Sequence, residues 1–254
     1  MRINVWHKLY SSVIGTSHLR KSISCQDYCN YKTFNNGDEE FLIIGISDGA
    51  GSAIHSKLGA IIAVENIISN ILSSKIDISY FDVSYAKEMI GKTTQLLSNI
   101  AAENRINLKE FSCTLLVAFL SSKASVFFQI GDGAWVIKTD EGTKAITWPH
   151  IGEFANETVF ITSPDMFEYL QFIKVTEPIF AVAGFTDGLQ SLILDFSIKA
   201  PHKGFFEPIF NSFFNLSDDL NLTENLRMFL NSEKVNNRTD DDKTIFFAWR
   251  DFNK

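Results

Sequence analysis

The sequence predicts an α+β domain in which helices cover layers of short strands. Three observations predict it. Two long segments between residues 53 and 106 have helical apolar periodicity, and short apolar runs at about ten-residue spacing follow them. No Pro/Gly-rich linker or internal repeat divides the 254-residue chain, so one domain over residues 1–254 is the economical reading.

The first clear element is Glu40–Ser47, a β-branched apolar run stopped by Asp48-Gly49, which reads as a buried strand. From Ala53 to Leu72 apolar residues such as Leu58, Ile61, Val64 and Ile68 recur at helical spacing, with Ser52 as the candidate N-cap. A second helix fits Val83–Ile106, with Ala86, Met89, Ile90, Leu97 and Ile100 on one side. Strands then fit Ser112–Leu120, Ala124–Ile130, Ala134–Thr139, Lys144–Trp148, Thr158–Thr162, Phe167–Val175 and Ile179–Phe185. Turn-like breaks such as Asp132-Gly133 and Asp140-Glu141-Gly142 separate them, and this spacing suggests a β-sandwich. Helical signals return in the stripe Phe205, Phe206, Ile209, Phe210, Phe213 and Phe214, which reads as core, and across Leu220–Leu230. Lys243–Trp249 is a final strand.

Composition bounds the function. Lys+Arg total 23 against 30 Asp+Glu, a formal charge of -7, which argues against a nucleic-acid partner bound by broad phosphate neutralisation. Hydrophobic residues make up 45% and charged residues 21%, as in a folded chain rather than a disordered one. No apolar run reaches the roughly 18 residues of a membrane helix, because Glu65, Asn66, Ser69 and Asn70 interrupt Ala60–Leu72, so no membrane partner is expected. The polar start Met1–Lys8 lacks a signal-peptide core, and a cytoplasmic location is expected. Cys25, Cys29 and Cys113 cannot all pair, no second Cys pair or nearby His completes a zinc site, and the thiols read as reduced and mostly buried.

Four acidic corners end or begin apolar strands: Ser47-Asp48-Gly49-Ala50-Gly51, Ile130-Gly131-Asp132-Gly133, Phe185-Thr186-Asp187-Gly188 and Asp240-Asp241-Asp242-Lys243-Thr244. Any one of them is ordinary turn chemistry. Together they are a means of aiming several carboxylates at one point from rigid strand ends. Converging carboxylates without basic partners repel one another, and oxygen-preferring divalent cations such as Mg2+ or Mn2+ are the usual compensation. Two such ions roughly 3.5 to 4 Å apart activate water against a phosphate ester.

With Cys25-Gln26-Asp27 and Ser112-Cys113-Thr114 added in chain order, these motifs resemble the metal-dependent type 2C protein serine/threonine phosphatases, in particular their bacterial branch. The resemblance runs from about Gly15 to Trp249, and its strength lies in six weak motifs that keep the family's order. It implies a four-layer α-β-β-α sandwich, two antiparallel sheets flanked by antiparallel helices, with a metal pair of Mn2+ or Mg2+ at one edge. Carried over by position, Asp48 would bridge the two ions, the Gly49 carbonyl would help hold one, and Asp187 and Asp241 would hold the other. Asp132 would serve a third, weaker site. Asp27 would order metal-bound waters, next to Gln26 where the family has Glu.

Two departures concern substrate groups. The family's phosphate-gripping Arg is Ser22 here, which leaves Arg20 and Lys21 as substitutes. The family's proton-donating His is Ala50, which leaves His18 and His55 as the nearest alternatives. The implied reaction is hydrolysis of phosphoserine or phosphothreonine in a protein, by water activated at a two-metal centre, with a cognate Ser/Thr kinase as a further partner. Asp48, Asp187 and Asp241 are its catalytic candidates. Gln26, Ser22 and Ala50 motivate the alternative of a catalytically weak or inactive regulatory binding module. A two-metal nuclease shares the carboxylate chemistry but fits the acidic balance poorly.

Overall fold

The computed structural model describes residues 5–150, 158–213 and 221–250. Strands β1 (His7–Val13), β12 (Lys243–Trp249), β9 (Ala181–Phe185), β6 (Ala134–Thr139) and β7 (Gly142–Ala145) form one antiparallel sheet in that order. Strands β2 (Tyr28–Asn36), β3 (Glu39–Ser47), β4 (Leu115–Leu120), β5 (Ser125–Ile130) and β8 (Gln171–Val175) form a second. The pair β10 (Leu194–Asp195) and β11 (Ala200–Pro201) makes a small separate hairpin.

The two-residue period of the strands sorts their side chains into three apolar layers. In β4, Leu115, Val117 and Phe119 face α2 (Ser56–Ser74) and α3 (Val83–Asn104), while Leu116, Ala118 and Leu120 face the other sheet. In β12, Phe246 and Ala248 enter that same inter-sheet layer. Ile245, Phe247 and Trp249 instead pack under α4 (Asp187–Ile193), α5 (Lys203–Ser212) and α6 (Leu222–Leu230). The result is the α-β-β-α sandwich that the resemblance implies. Strands buried on both faces appear as unbroken apolar runs, which is why β5, β6, β9 and β12 lie close to their expected ranges.

Register gathers the acidic corners at one edge. Phe185 pairs with both Ile245 and Ala134, so the chain leaving β9, the chain entering β12 and the chain entering β6 sit side by side. In the second sheet Leu115 pairs with Ile130, and Ile46 with Leu116. The turn 131–133 crosses from β5 to β6 and so joins the two sheets at that edge.

Several expected elements differ. The first long helix starts at Ser56 with His55 as its N-cap, not at Ala53 with Ser52, because the preceding residues are held to another segment. Ile54 N–H donates to Glu110 Oε2 and His55 N–H to the Glu110 carbonyl, both at 2.9 Å. Thr158–Thr162 is not a strand, and its Ile161 N–H donates instead to the Cys113 carbonyl at 3.0 Å. The strand expected at Lys144–Trp148 is Gly142–Ala145, after which Thr147 Oγ1 accepts from Trp135 N–H at 2.8 Å. β1, β2, α1 (Thr16–Lys21), α4 and α7 (Glu233–Asn236) were not expected. β1 and β2 are edge strands with polar, partly exposed faces, so they lack an apolar run. Phe214 of the Phe stripe, Leu220 at the start of the late helix and both chain ends lie outside the described residues.

Candidate active site

Asp48 follows β3 and is held by backbone on both sides. Its N–H donates to Thr114 Oγ1 at 2.9 Å and its carbonyl accepts from Thr114 N–H at 2.8 Å. Ala50 N–H donates to the Ser112 carbonyl at 2.9 Å. Gly49 and Cys113 are thus a non-hydrogen-bonded antiparallel pair, whose ladder bonds are made by the flanking residues and not by the Gly49 carbonyl.

Asp187 is the first residue of α4, directly after Thr186. Thr186 ties three corners together. Its Oγ1 donates to Asp27 Oδ2 at 2.8 Å and accepts from Thr244 N–H at 3.0 Å, and its N–H donates to the Thr244 carbonyl at 3.1 Å. The next corner comes very close: a Cβ added at Gly188 would stand 1.9 Å from the Asp242 carbonyl oxygen, so only glycine allows α4 to start against the entry to β12. Asp132 sits in a turn whose flanking Gly131 and Gly133 have φ of +104° and +92°. Thr158 Oγ1 donates to Asp132 Oδ2 at 2.7 Å.

These supports bring one carboxylate oxygen from each of Asp48, Asp132 and Asp187 within 4.8 Å of one another. Asp241 stands outside that tight group, with Oδ1 accepting from Asp242 N–H at 2.8 Å, but its charge acts on both Asp187 and Asp132. Burial first, and then the charges of Asp27, Asp187 and Asp132, hold the Asp48 carboxyl well above the usual range. Burial, followed by Asp132, Asp241 and Asp27, does the same to Asp187. Asp132 is also raised, mainly by burial. Burial pushes Asp27 up to about 7 against hydrogen bonds that oppose it. No cation stands among these leading influences, and buried Lys243 turns its Nζ to Asn236 Oδ1 at 2.8 Å.

The donor set fits hard divalent cations. It is made of oxygen, it is acidic, and Asp27 Oδ1 and Asp132 Oδ1 are buried with no hydrogen-bond partner among the described residues. The raised carboxyls set a pH dependence for metal-free protein. A folded-state pKa above the unfolded value means that the folded state holds more protons between the two, so stability falls as pH rises through that window. For Asp27 the window runs from 3.8 to about 7. Chelated protein is therefore expected to melt roughly 5 °C lower at pH 7.5 than at pH 5.5, with Mn2+ closing the gap. Calorimetric scans at the two pH values check this, and equal melting temperatures without metal would contradict it.

Thr158 was not legible as a site residue, because only the tertiary fold brings it to Asp132. Thr158→Val should weaken the weakest Mn2+ site by about tenfold through loss of one hydrogen bond to a carboxylate, while Thr158→Ser retains it. Titration calorimetry with Mn2+ reads the difference.

The remaining candidates are more scattered. Asp242 is 1% exposed and accepts from Gly15 N–H at 2.6 Å, Gln26 N–H at 2.5 Å and His18 Nδ1 at 2.9 Å, so it closes the N-terminal segment on β12. His18 is buried with that nitrogen committed. His55 caps α2 and stacks on Phe111 with ring centroids 5.4 Å apart, which turns it to the α2 side of the corner. Arg20 is exposed and pairs with Asp240 Oδ2 at 3.0 Å, one residue from Asp241, and Lys21 is exposed beside it. The thiols suit no nucleophilic role. Burial pushes Cys29 and Cys113 up to about 12 and raises Cys25 as well, so all three stay protonated near neutrality.

Comparison with known proteins agrees with this fold. The sequence pattern of the family described as Protein phosphatase 2C matches residues 14–231. The chain is 36% identical over 250 residues to Serine/threonine-protein phosphatase 3 of Escherichia coli (strain K12), covering 96% of this chain and 98% of that protein. Its fold matches a bacterial serine phosphatase with a TM-score of 0.68 at 14% identity, over 98% of this chain and 100% of the other. It also matches the serine/threonine phosphatase Stp1 of Staphylococcus aureus with a TM-score of 0.67 at 14% identity, over 99% and 98%. The pattern match, the full-length relative and the shared sandwich show that this chain belongs to the protein phosphatase 2C family.

Proposed function

We propose that the chain is a metal-dependent protein phosphatase that removes phosphate from phosphoserine and phosphothreonine in proteins. The carrying observation is the meeting of half-buried Asp48, Asp132 and Asp187, with no Lys or Arg of the described residues among the leading influences on them. When bound, two ions of Mn2+ or Mg2+ would neutralise these carboxylates, offset charge on the phosphate oxygens and lower the pKa of a water. In this reading Asp48, the Gly49 carbonyl, Asp187 and Asp241 would hold the two ions, and Asp132 would hold a third, weaker one.

The chain's other groups hold and orient. Thr114 fixes the Asp48 backbone, and Thr186 fixes both Asp27 and the entry to β12. His18 is better placed than His55 to hand a proton to the leaving alkoxide, because the Asp242 carboxylate accepts from Nδ1, so that in the doubly protonated ring Nε2–H is the bond left to donate. Arg20 is the proposed phosphate clamp, since its planar fork suits phosphate oxygens and its ion-pair partner Asp240 directly precedes Asp241; Lys21 is the secondary choice. Arg20→Ala should raise KM for a phosphopeptide about fivefold with little change in kcat, the size of an exposed charge contact. Steady-state kinetics separate the two constants.

The whole of residues 1–254 is read as one phosphatase-like domain. A cytoplasmic location suits the three free cysteines, and the phosphoprotein substrate makes a Ser/Thr kinase the natural counterpart. No helix of the described residues is long and apolar enough to cross a membrane. The test is phosphate release from a phosphothreonine peptide and from an aryl phosphate, and strand cleavage of single-stranded DNA, each with Mn2+, Mg2+ or chelator. Metal-dependent turnover of the first two is expected. Turnover of DNA instead would favour the nuclease, and folded protein inert under every metal would favour the binding module.

A further inference from the structure

The helix layer over β1 and β12 holds a half-open cavity of about 800 Å³. Its volume and lining are those of a small-molecule pocket, typically roughly 300–1,000 Å³ and mostly apolar. The floor is the sheet itself, through Leu9 and Phe247, and the walls include Leu192, Phe205, Leu226 and Phe229 from α4, α5 and α6. A pit that passes through a helix layer down to a sheet receives a slender tail better than the broad face of a helix.

The charge at this pit opposes that of the chain. Lys234, Arg238 and His202 are its basic lining residues, and among the described residues no Asp or Glu lines it, although the protein carries a net -7. The acidic side chains of the two wall helices are engaged elsewhere: Glu207 binds Lys138 and Thr143, and Glu224 pairs with Arg227. Lys234 and Arg238 are exposed and have no ion-pair partner among the described residues. A Cβ at Gly204, another lining residue, would meet nothing within 4 Å, so side-chain space is open there.

We propose that this cavity binds an anionic amphiphile, a long-chain carboxylate whose tail enters between α5 and α6 while its head meets Lys234 and Arg238. The apolar interior supplies tail burial, and the two cations supply selection for the charged head.

Titration calorimetry with laurate below its micelle concentration tests the site on the full chain. One saturable site per chain is expected. The double variant Lys234→Ala/Arg238→Ala should weaken binding at least tenfold, and dodecanol, with the same tail and no charge, should bind at least tenfold more weakly than laurate. Gly204→Phe should abolish binding with an unchanged melting temperature, because it adds bulk at a helical position that glycine does not favour. Absence of saturable heat, dodecanol binding as tightly as laurate, or full laurate binding in either variant would overturn the assignment. These readouts do not depend on phosphatase activity.

Discussion

Asp48→Asn should lower kcat on a phosphothreonine peptide by at least about 10³-fold while leaving the metal-free protein as stable as the wild type or more so. The amide keeps the size of the side chain and one acceptor oxygen but removes the charge. An ion-mediated rate effect of several kcal/mol at about 1.4 kcal/mol per tenfold gives that magnitude. The stability half follows from the electrostatics, since the Asp48 carboxyl is raised by burial and then by neighbouring carboxylates. Removing one repelling charge relieves the metal-free fold, so activity and stability should move in opposite directions. Steady-state kinetics and calorimetric scans of chelated protein measure the pair. A variant that lost activity and stability together would point to misfolding instead.

Asp242→Ala should be the most destabilising change at the acidic edge, by about 3–5 kcal/mol, as when one member of a buried charged network is removed. Two backbone N–H groups and a histidine nitrogen converge on this carboxylate at 2.5 to 2.9 Å, and alanine would leave all three buried without an acceptor. The loss reaches the site through chain connectivity. Asp241 precedes Asp242, and Gln26, whose N–H is one of the three donors, precedes Asp27. Asp242→Asn keeps one acceptor oxygen and should recover part of the stability. Urea denaturation of the three proteins gives the order wild type, Asn, Ala.

Much of the candidate site was legible because it is built from strand ends. Asp48, Asp132 and Asp187 each stand beside glycine at the end of an apolar run, and a strand buried on both faces announces itself in sequence. β2 did not, since an edge strand such as Tyr28–Asn36 carries polar residues on its open faces. α4 is only seven residues long, too short for periodicity to separate it from a turn. The partners of the carboxylates were illegible for a different reason. Thr158 meets Asp132 across 26 residues, and Asp242 meets Gly15 across 227, so sequence spacing carries no trace of either contact. Asp242 drew no reading of its own in the acidic run, whereas the fold buries it as the acceptor that holds the N-terminal segment.

Equilibrium dialysis of Mn2+ against wild type and Asp48→Asn, at neutral pH and in parallel with phosphopeptide turnover, tests the central claim most directly. At least two ions per wild-type chain are predicted, turnover rising as they bind, with ions and turnover lost together in the variant. Phosphopeptide hydrolysis that persisted in wild type with no ion bound, or ion binding undisturbed by Asp48→Asn, would contradict the account.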